Sequence, residues 1–87
     1  MTDPALIEAT ILRLAAEHGP EGSFSPTDAA RAIAGRHSEE WGPLMQPLRR
    51  VAVALAKAGR IVIYRKGKLV DPDGFKGIYR LGLPRQD

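Results

Sequence analysis

Basic side chains in the second half of the chain have the most readily assigned chemistry. Residues 49–85 carry ten lysines and arginines against two aspartates, whereas residues 1–48 carry three basic and seven acidic side chains. A positive surface segregated in this way suits a polyanion, either a nucleic-acid backbone or an acidic protein. The alternative is a solvated surface on which some arginines only cover apolar area, and runs of charge are usually of this kind.

Seven of the polar and basic residues form a predicted binding set for double-stranded DNA. Arginine and glutamine can reach base edges, and lysines at the tip of a turn can meet phosphates. Two carboxylates, Glu39 and Glu40, count against this prediction because they precede the helix that would approach the bases. The predicted set is Gln46, Arg49, Arg50, Lys57, Arg65, Lys66 and Lys68.

Catalytic and metal-binding patterns do not accompany the basic set. Cysteine is absent, which excludes disulfides and thiolate metal sites. His18 and His37 are far apart and lack the spacing of metal ligands. Ser23, Ser25 and Ser38 fall in predicted caps or turns, with no adjacent base to activate them. We therefore expect a protein that is not an enzyme and needs no cofactor.

Two helices are expected to precede the basic region. Asp3-Pro4 predicts the start of a helix that runs to about His18, because aspartate is a good N-cap and proline fits the first helical position. Ser25-Pro26-Thr27-Asp28 predicts the start of a second, short helix that ends at Gly35. Between them, residues 23–25 favour a short extended segment.

A third, longer helix is predicted from Pro43 to the residue before Gly59. Residues 36–42, which precede it, should form a turn or a single helical turn, with Trp41 covering the core. Leu44, Leu48, Val51 and Leu55 recur at helical spacing and should face the core. The outward side of this helix then carries Gln46, Arg49, Arg50, Val53 and Lys57.

The pattern changes to that of a β-hairpin after Arg60. Residues 61–64 are β-branched and aromatic, which is typical of a strand. Turns are predicted at residues 66–67 and 71–74, with a short extended piece at residues 69–70 between them, and a returning strand is predicted at residues 77–81. Tyr64 and Tyr79 could then stack on a base, but packing against each other across the two strands is the commoner outcome.

This order of elements resembles the winged helix-turn-helix architecture, an α+β fold of three helices and a short antiparallel β-hairpin wing. Several phrases also resemble a bacterial family described as domain of unknown function 3253. The likeness runs from about Ile7 to Leu83, and because that family is uncharacterised it implies a fold rather than an activity. The phrases are IEATIL at residues 7–12, WGPLM at 41–45, LRRVA at 48–52, RKGK at 65–68 and DPD at 71–73.

With 87 residues, 44% of them hydrophobic and 26% charged, the chain should form one domain over residues 1–87 with a core of about residues 4–83. Its N-terminus lacks the pattern of a signal peptide and no segment is apolar enough to span a bilayer, so we expect a cytoplasmic protein. Residues 84–87 are expected to fray.

Two functions remain open from the sequence. The first is DNA binding, with the third helix toward the groove and the basic wing on phosphates. The second is an interaction or dimerisation module in which Trp41, Met45 and the basic hairpin bind an acidic protein or a second copy.

Overall fold

The chain is a mixed α+β structure in which helices precede a small antiparallel sheet, as predicted. The computed structural model describes residues 3–84, so of residues 84–87, where fraying is expected, the last three lie outside the described part. The elements are α1 (Pro4–His18), α2 (Pro26–Ala34), α3 (Ser38–Trp41), a 3-10 turn (Gly42–Leu44), α4 (Met45–Lys57), β1 (Val62–Arg65), β2 (Lys68–Leu69) and β3 (Arg80–Gly82).

Side-chain caps fix the starts of the first two helices where the sequence predicts them. The Asp3 carboxylate accepts a hydrogen bond from the Ala5 amide at 2.9 Å. At α2 the Ser25 hydroxyl accepts from the Thr27 amide, and the Asp28 carboxylate accepts from the Ser25 amide. Each bond satisfies a backbone donor that the helix leaves without an internal partner.

The predicted start of the third helix at Pro43, which is α4 in the structure, is wrong by two residues. Gly42–Leu44 form a 3-10 turn, and the α-helix begins at Met45. The reason is Pro47, which has no N–H to donate to the carbonyl of Pro43, as an α-helix starting there would require. Starting at Met45 places Pro47 within the first turn, where amides have no intrahelical acceptor.

The prediction of one simple hairpin is also corrected. The sheet has three strands in the order β2-β1-β3, all antiparallel. A tight turn at Lys66-Gly67 joins β1 to β2, and residues 70–79, which we call the strap, then cross to the other side of β1. The returning strand begins only at Arg80 because Phe75 and Tyr79 turn inward and become buried.

The core lies between the sheet and the helices. Its largest fully buried side chains come from α1, α4, the strands and the α1–α2 connection. In that connection Phe24 exchanges two backbone hydrogen bonds of 2.9 Å with Leu81 of β3, as a short extended segment should. Leu48 and Leu55 are buried and Val51 is half-buried, so the predicted inner face of α4 is confirmed. Within residues 3–84 no helix combines the length and apolarity that a membrane span needs.

Candidate nucleic-acid interface

The β1–β2 hairpin presents its basic residues at and beside its turn. Lys66 and Gly67 both have positive φ, +52° and +80°, which gives the tight two-residue turn that the strand twist favours. Lys66 and Lys68 are exposed, while Arg65 is half-buried. The Arg65 guanidinium lies over Gly77 of the strap, so close that a Cβ there would be 2.6 Å from Nη1.

On α4, the face opposite Leu48 and Leu55 is exposed to solvent. Gln46, Arg50 and Lys57 share this face, since they are spaced four and seven residues apart. The Arg50 side chain forms no hydrogen bond or ion pair within residues 3–84. Of the predicted residues on α4, Arg50 presents its charge most freely.

Arg49, also in the predicted binding set, is hydrogen-bonded to the strap and packs against it. Its Nη2 donates a hydrogen bond of 2.7 Å to the Phe75 carbonyl oxygen. Its guanidinium carbon also lies 3.9 Å from the centroid of the Phe75 ring and 5.5 Å from that of Tyr79. Arg49 therefore joins α4 to the strap, and the assignment of this residue to a nucleic acid stays a prediction.

Lys57 also meets the strap. Its ammonium group forms an ion pair with the Asp73 carboxylate, and both side chains are more than half exposed. Asp73 is held in a turn in which its own amide donates to the Asp71 carboxylate at 2.9 Å. The pairing reduces the positive potential that Lys57 adds to the outer face of α4.

The strap and the start of β3 bring further exposed residues beside the hairpin that the predicted set does not contain. Lys76 and Ile78 of the strap and Arg80, the first residue of β3, are exposed, whereas Phe75 and Tyr79 are buried. Ile78 is 90% exposed. Two aromatic residues among polar residues and glycines are the sequence signal for this arrangement, and the strand predicted at residues 77–81 did not capture it.

Glu39, Glu40 and Trp41 lie on α3, which the 3-10 turn Gly42–Leu44 joins to α4. Both glutamates are exposed, and neither forms an ion pair within residues 3–84. Trp41 is half-buried against the core, as predicted, and the Arg31 guanidinium lies 5.4 Å from its ring centroid. The two carboxylates thus belong to the segment that leads into α4, and they oppose a polyanion that approaches there.

The tyrosines do not pack against each other, contrary to prediction. Tyr64 is paired with Leu69 and Arg80 across the sheet, whereas Tyr79 packs edge-on against Phe75, with 5.0 Å between ring centroids. The prediction failed because Tyr79 precedes β3 and belongs to the strap. Burial raises the pKa of Tyr79, and the nearby charge of Arg49 opposes that rise.

Comparison with known proteins identifies a family. A family model described as "Protein of unknown function (DUF3253)" matches residues 4–84. The comparison with curated proteins finds no match.

Proposed function

We propose that this chain, which belongs to the DUF3253 family of unknown function, is a winged-helix domain that binds double-stranded DNA without catalysing a reaction. The β1–β2 hairpin and the strap would lie on the phosphate backbone. The outer face of α4, with Gln46 and Arg50, would face the major groove.

One observation carries this proposal: cations on the hairpin, the strap and β3 have no carboxylate partners. None of them forms an ion pair within the described residues, where the three ion pairs involve Arg13, Lys57 and Arg60. Cations that are not internally neutralised are those that can release counterions from a nucleic acid. They are Arg65, Lys66, Lys68, Lys76 and Arg80.

The topology supports the winged-helix part of the proposal. Phe24 pairs with β3 on the side away from β1, so the extended segment before α2 lies at one edge of the sheet and the hairpin at the other. Helix, short extended segment, two helices, strand, loop and strand is the order typical of winged helices. The hairpin then takes the place of the wing.

Salt dependence is the direct test of a phosphate-binding interface. With about four to six phosphate contacts, the logarithm of the association constant should fall against that of the salt concentration with a slope near −4 to −5. Fluorescence anisotropy of a random-sequence duplex at several salt concentrations measures this slope. Affinity that does not change between low and moderate salt would refute the proposal.

Charge-reversal variants locate the interface. Lys66→Glu/Lys68→Glu and Arg50→Glu should each weaken binding and flatten the salt slope. Arg13→Glu is the matched control, because Arg13 is exposed on α1 and lies on neither the hairpin nor α4. An equal loss of affinity in Arg13→Glu and Arg50→Glu would show that only net charge matters and would overturn the placement of α4.

An apolar groove favours a second candidate function, the docking of an acidic protein segment. The groove lies where the strap meets the starts of α2 and α4, and Pro26, Met45 and Ile78 line it. Lys76 and Arg80 flank the exposed Ile78, so an acidic segment with an apolar residue would fit better than a basic one. Retention of DNA affinity in Ile78→Ser together with loss of binding to an acidic partner would favour this candidate.

A further inference from the structure

A cleft on the outer face of the sheet is separate from α4. It opens where the connection between α1 and α2 passes over β1 and β3, and its volume is about 150 Å³, room for several water molecules. The connection approaches closely because Gly82 has no side chain: a Cβ there would lie 3.0 Å from the Gly22 carbonyl oxygen. The residues lining the cleft are Glu21, Gly22, Ser23, Tyr64, Lys66, Gly67 and Arg80.

Arg80 is held in this cleft by neutral acceptors. Its Nε donates to the Ser23 hydroxyl at 2.8 Å, and its Nη2 donates to the Ser23 carbonyl oxygen at 3.0 Å. These two bonds fix the guanidinium plane without neutralising its charge. The remaining N–H groups, on Nη1 and Nη2, are free to donate to an oxyanion in the paired geometry that arginine favours.

Lys66 supplies a second cation from a backbone position that disfavours it. Its φ of +52° lies in the left-handed region, where asparagine or glycine is the usual residue of such a turn. A lysine at this position strains the backbone, and the conformation of the turn does not account for its presence. Its side chain lines the same cleft as Arg80, so two elements direct positive charge to one place.

We propose that this cleft binds a phosphate group between Arg80 and Lys66, with Tyr64 as its wall. The same oxygens are offered by a free phosphomonoester and by a phosphodiester of a bound duplex. The proposal therefore does not depend on DNA binding, although it would place one backbone phosphate if the duplex binds. Glu21, the single acid lining the cleft, opposes the ligand and limits its affinity.

Titration with inorganic phosphate, followed by amide NMR at constant ionic strength, tests the site. We expect saturable shifts at Ser23, Gly67 and Arg80. Lys66→Asn should weaken binding about tenfold or more while keeping a residue that suits the turn. Lys68→Asn is the matched control, because Lys68 pairs with Arg65 on the other face of β1, and it should change affinity less than about twofold.

Further variants sharpen the test. Glu21→Gln should tighten phosphate binding, and Arg80→Lys should weaken it although the charge is retained, because lysine cannot reproduce the planar contacts to Ser23. Shifts that do not saturate, or equal losses in Lys66→Asn and Lys68→Asn, would overturn the proposal. Either result would show that phosphate responds only to the net charge of the protein and occupies no defined site.

A parallel titration with duplex DNA separates the two sources of phosphate. Arg80→Lys decides between them because it keeps the charge and changes only the contacts in the cleft. Weaker binding of both ligands in Arg80→Lys assigns the cleft to a backbone phosphate, and loss of inorganic phosphate binding alone assigns it to a free phosphorylated ligand. Absence of duplex binding in a protein that still binds phosphate would refute the proposed DNA binding and leave the cleft assignment intact.

Discussion

Removal of the Arg49 side chain should destabilise the fold, because this arginine joins α4 to the strap. In Arg49→Ala the Phe75 carbonyl oxygen loses its 2.7 Å donor, and the Phe75 and Tyr79 rings lose the cation above them. A hydrogen bond from a charged donor contributes about 1.5–3 kcal/mol. A cation–π contact contributes about 0.5–2 kcal/mol.

The two contributions share one side chain and do not simply add. We expect Arg49→Ala to lower the free energy of unfolding by about 2–3 kcal/mol, which for a domain of this size lowers the melting temperature by roughly 10 °C or more. Arg50→Ala is the matched control on the next residue. Its side chain is exposed and has no partner within the described residues, so the change should stay within about 0.5 kcal/mol.

Urea denaturation of the two variants, with DNA affinity measured under native conditions, separates stability from binding. Arg49→Ala should unfold at a lower urea concentration but retain most of its affinity for DNA once folded. Arg50→Ala should unfold at the same urea concentration as the wild type and bind DNA more weakly. Equal stability of Arg49→Ala and the wild type would refute the inference that the strap is fastened by Arg49. Loss of affinity in folded Arg49→Ala would show that this residue also contacts the DNA.

Other positions test the core, the α1–α2 connection and the buried phenol. Leu48→Ala should cost about 2–5 kcal/mol by thermal or urea unfolding, since Leu48 is fully buried in the core; an unchanged midpoint would contradict its placement. Gly22→Ala should cost about 1–3 kcal/mol because its Cβ would lie 2.5 Å from the His18 carbonyl oxygen, whereas Gly74→Ala, with nothing within 4 Å, should be nearly neutral in the same assay. The Tyr79 hydroxyl is buried with no hydrogen-bond partner in the described part of the chain, so Tyr79→Phe should melt at the same temperature as the wild type or higher. Because burial raises the pKa of Tyr79 above its ordinary 10.0, its contribution to stability is present below pH 10 and is lost as the pH rises further, and Tyr79→Phe should reduce that loss.

Local signals in the sequence were sufficient for the first two helices. Asp3-Pro4 and Ser25-Pro26 specify their own helix starts through side-chain caps and proline, and both starts are confirmed. The spacing of Leu48 and Leu55 likewise predicted the buried face of α4. These features depend on neighbours a few residues away, and the chain alone contains that information.

Long-range packing decided what the sequence did not predict. The strap contains turn residues at 71–74 and a short apolar stretch. This pattern fits a continuous returning strand as well as it fits a segment that crosses the sheet before a shorter strand. Its path is set by Phe75 and Tyr79, which pack against Arg49. Arg49 precedes these two residues in the chain by 26 and 30 positions. Because of this contact Arg49 is not one of the freely exposed cations of α4. The helical periodicity of α4 gives no sign of the contact.

The Lys57–Asp73 pair links the strap to the proposed binding face and makes that link measurable. Asp73→Asn removes the carboxylate that neutralises Lys57, and its amide can still occupy the turn. If α4 faces the groove, the released ammonium should gain about one phosphate contact and steepen the salt slope by about 0.9. Removal of any negative charge raises affinity somewhat, so the deciding comparison adds Lys57→Ala. In Asp73→Asn/Lys57→Ala the slope should return to the wild-type value; a steeper slope that persists without Lys57 would place the interface away from the outer face of α4.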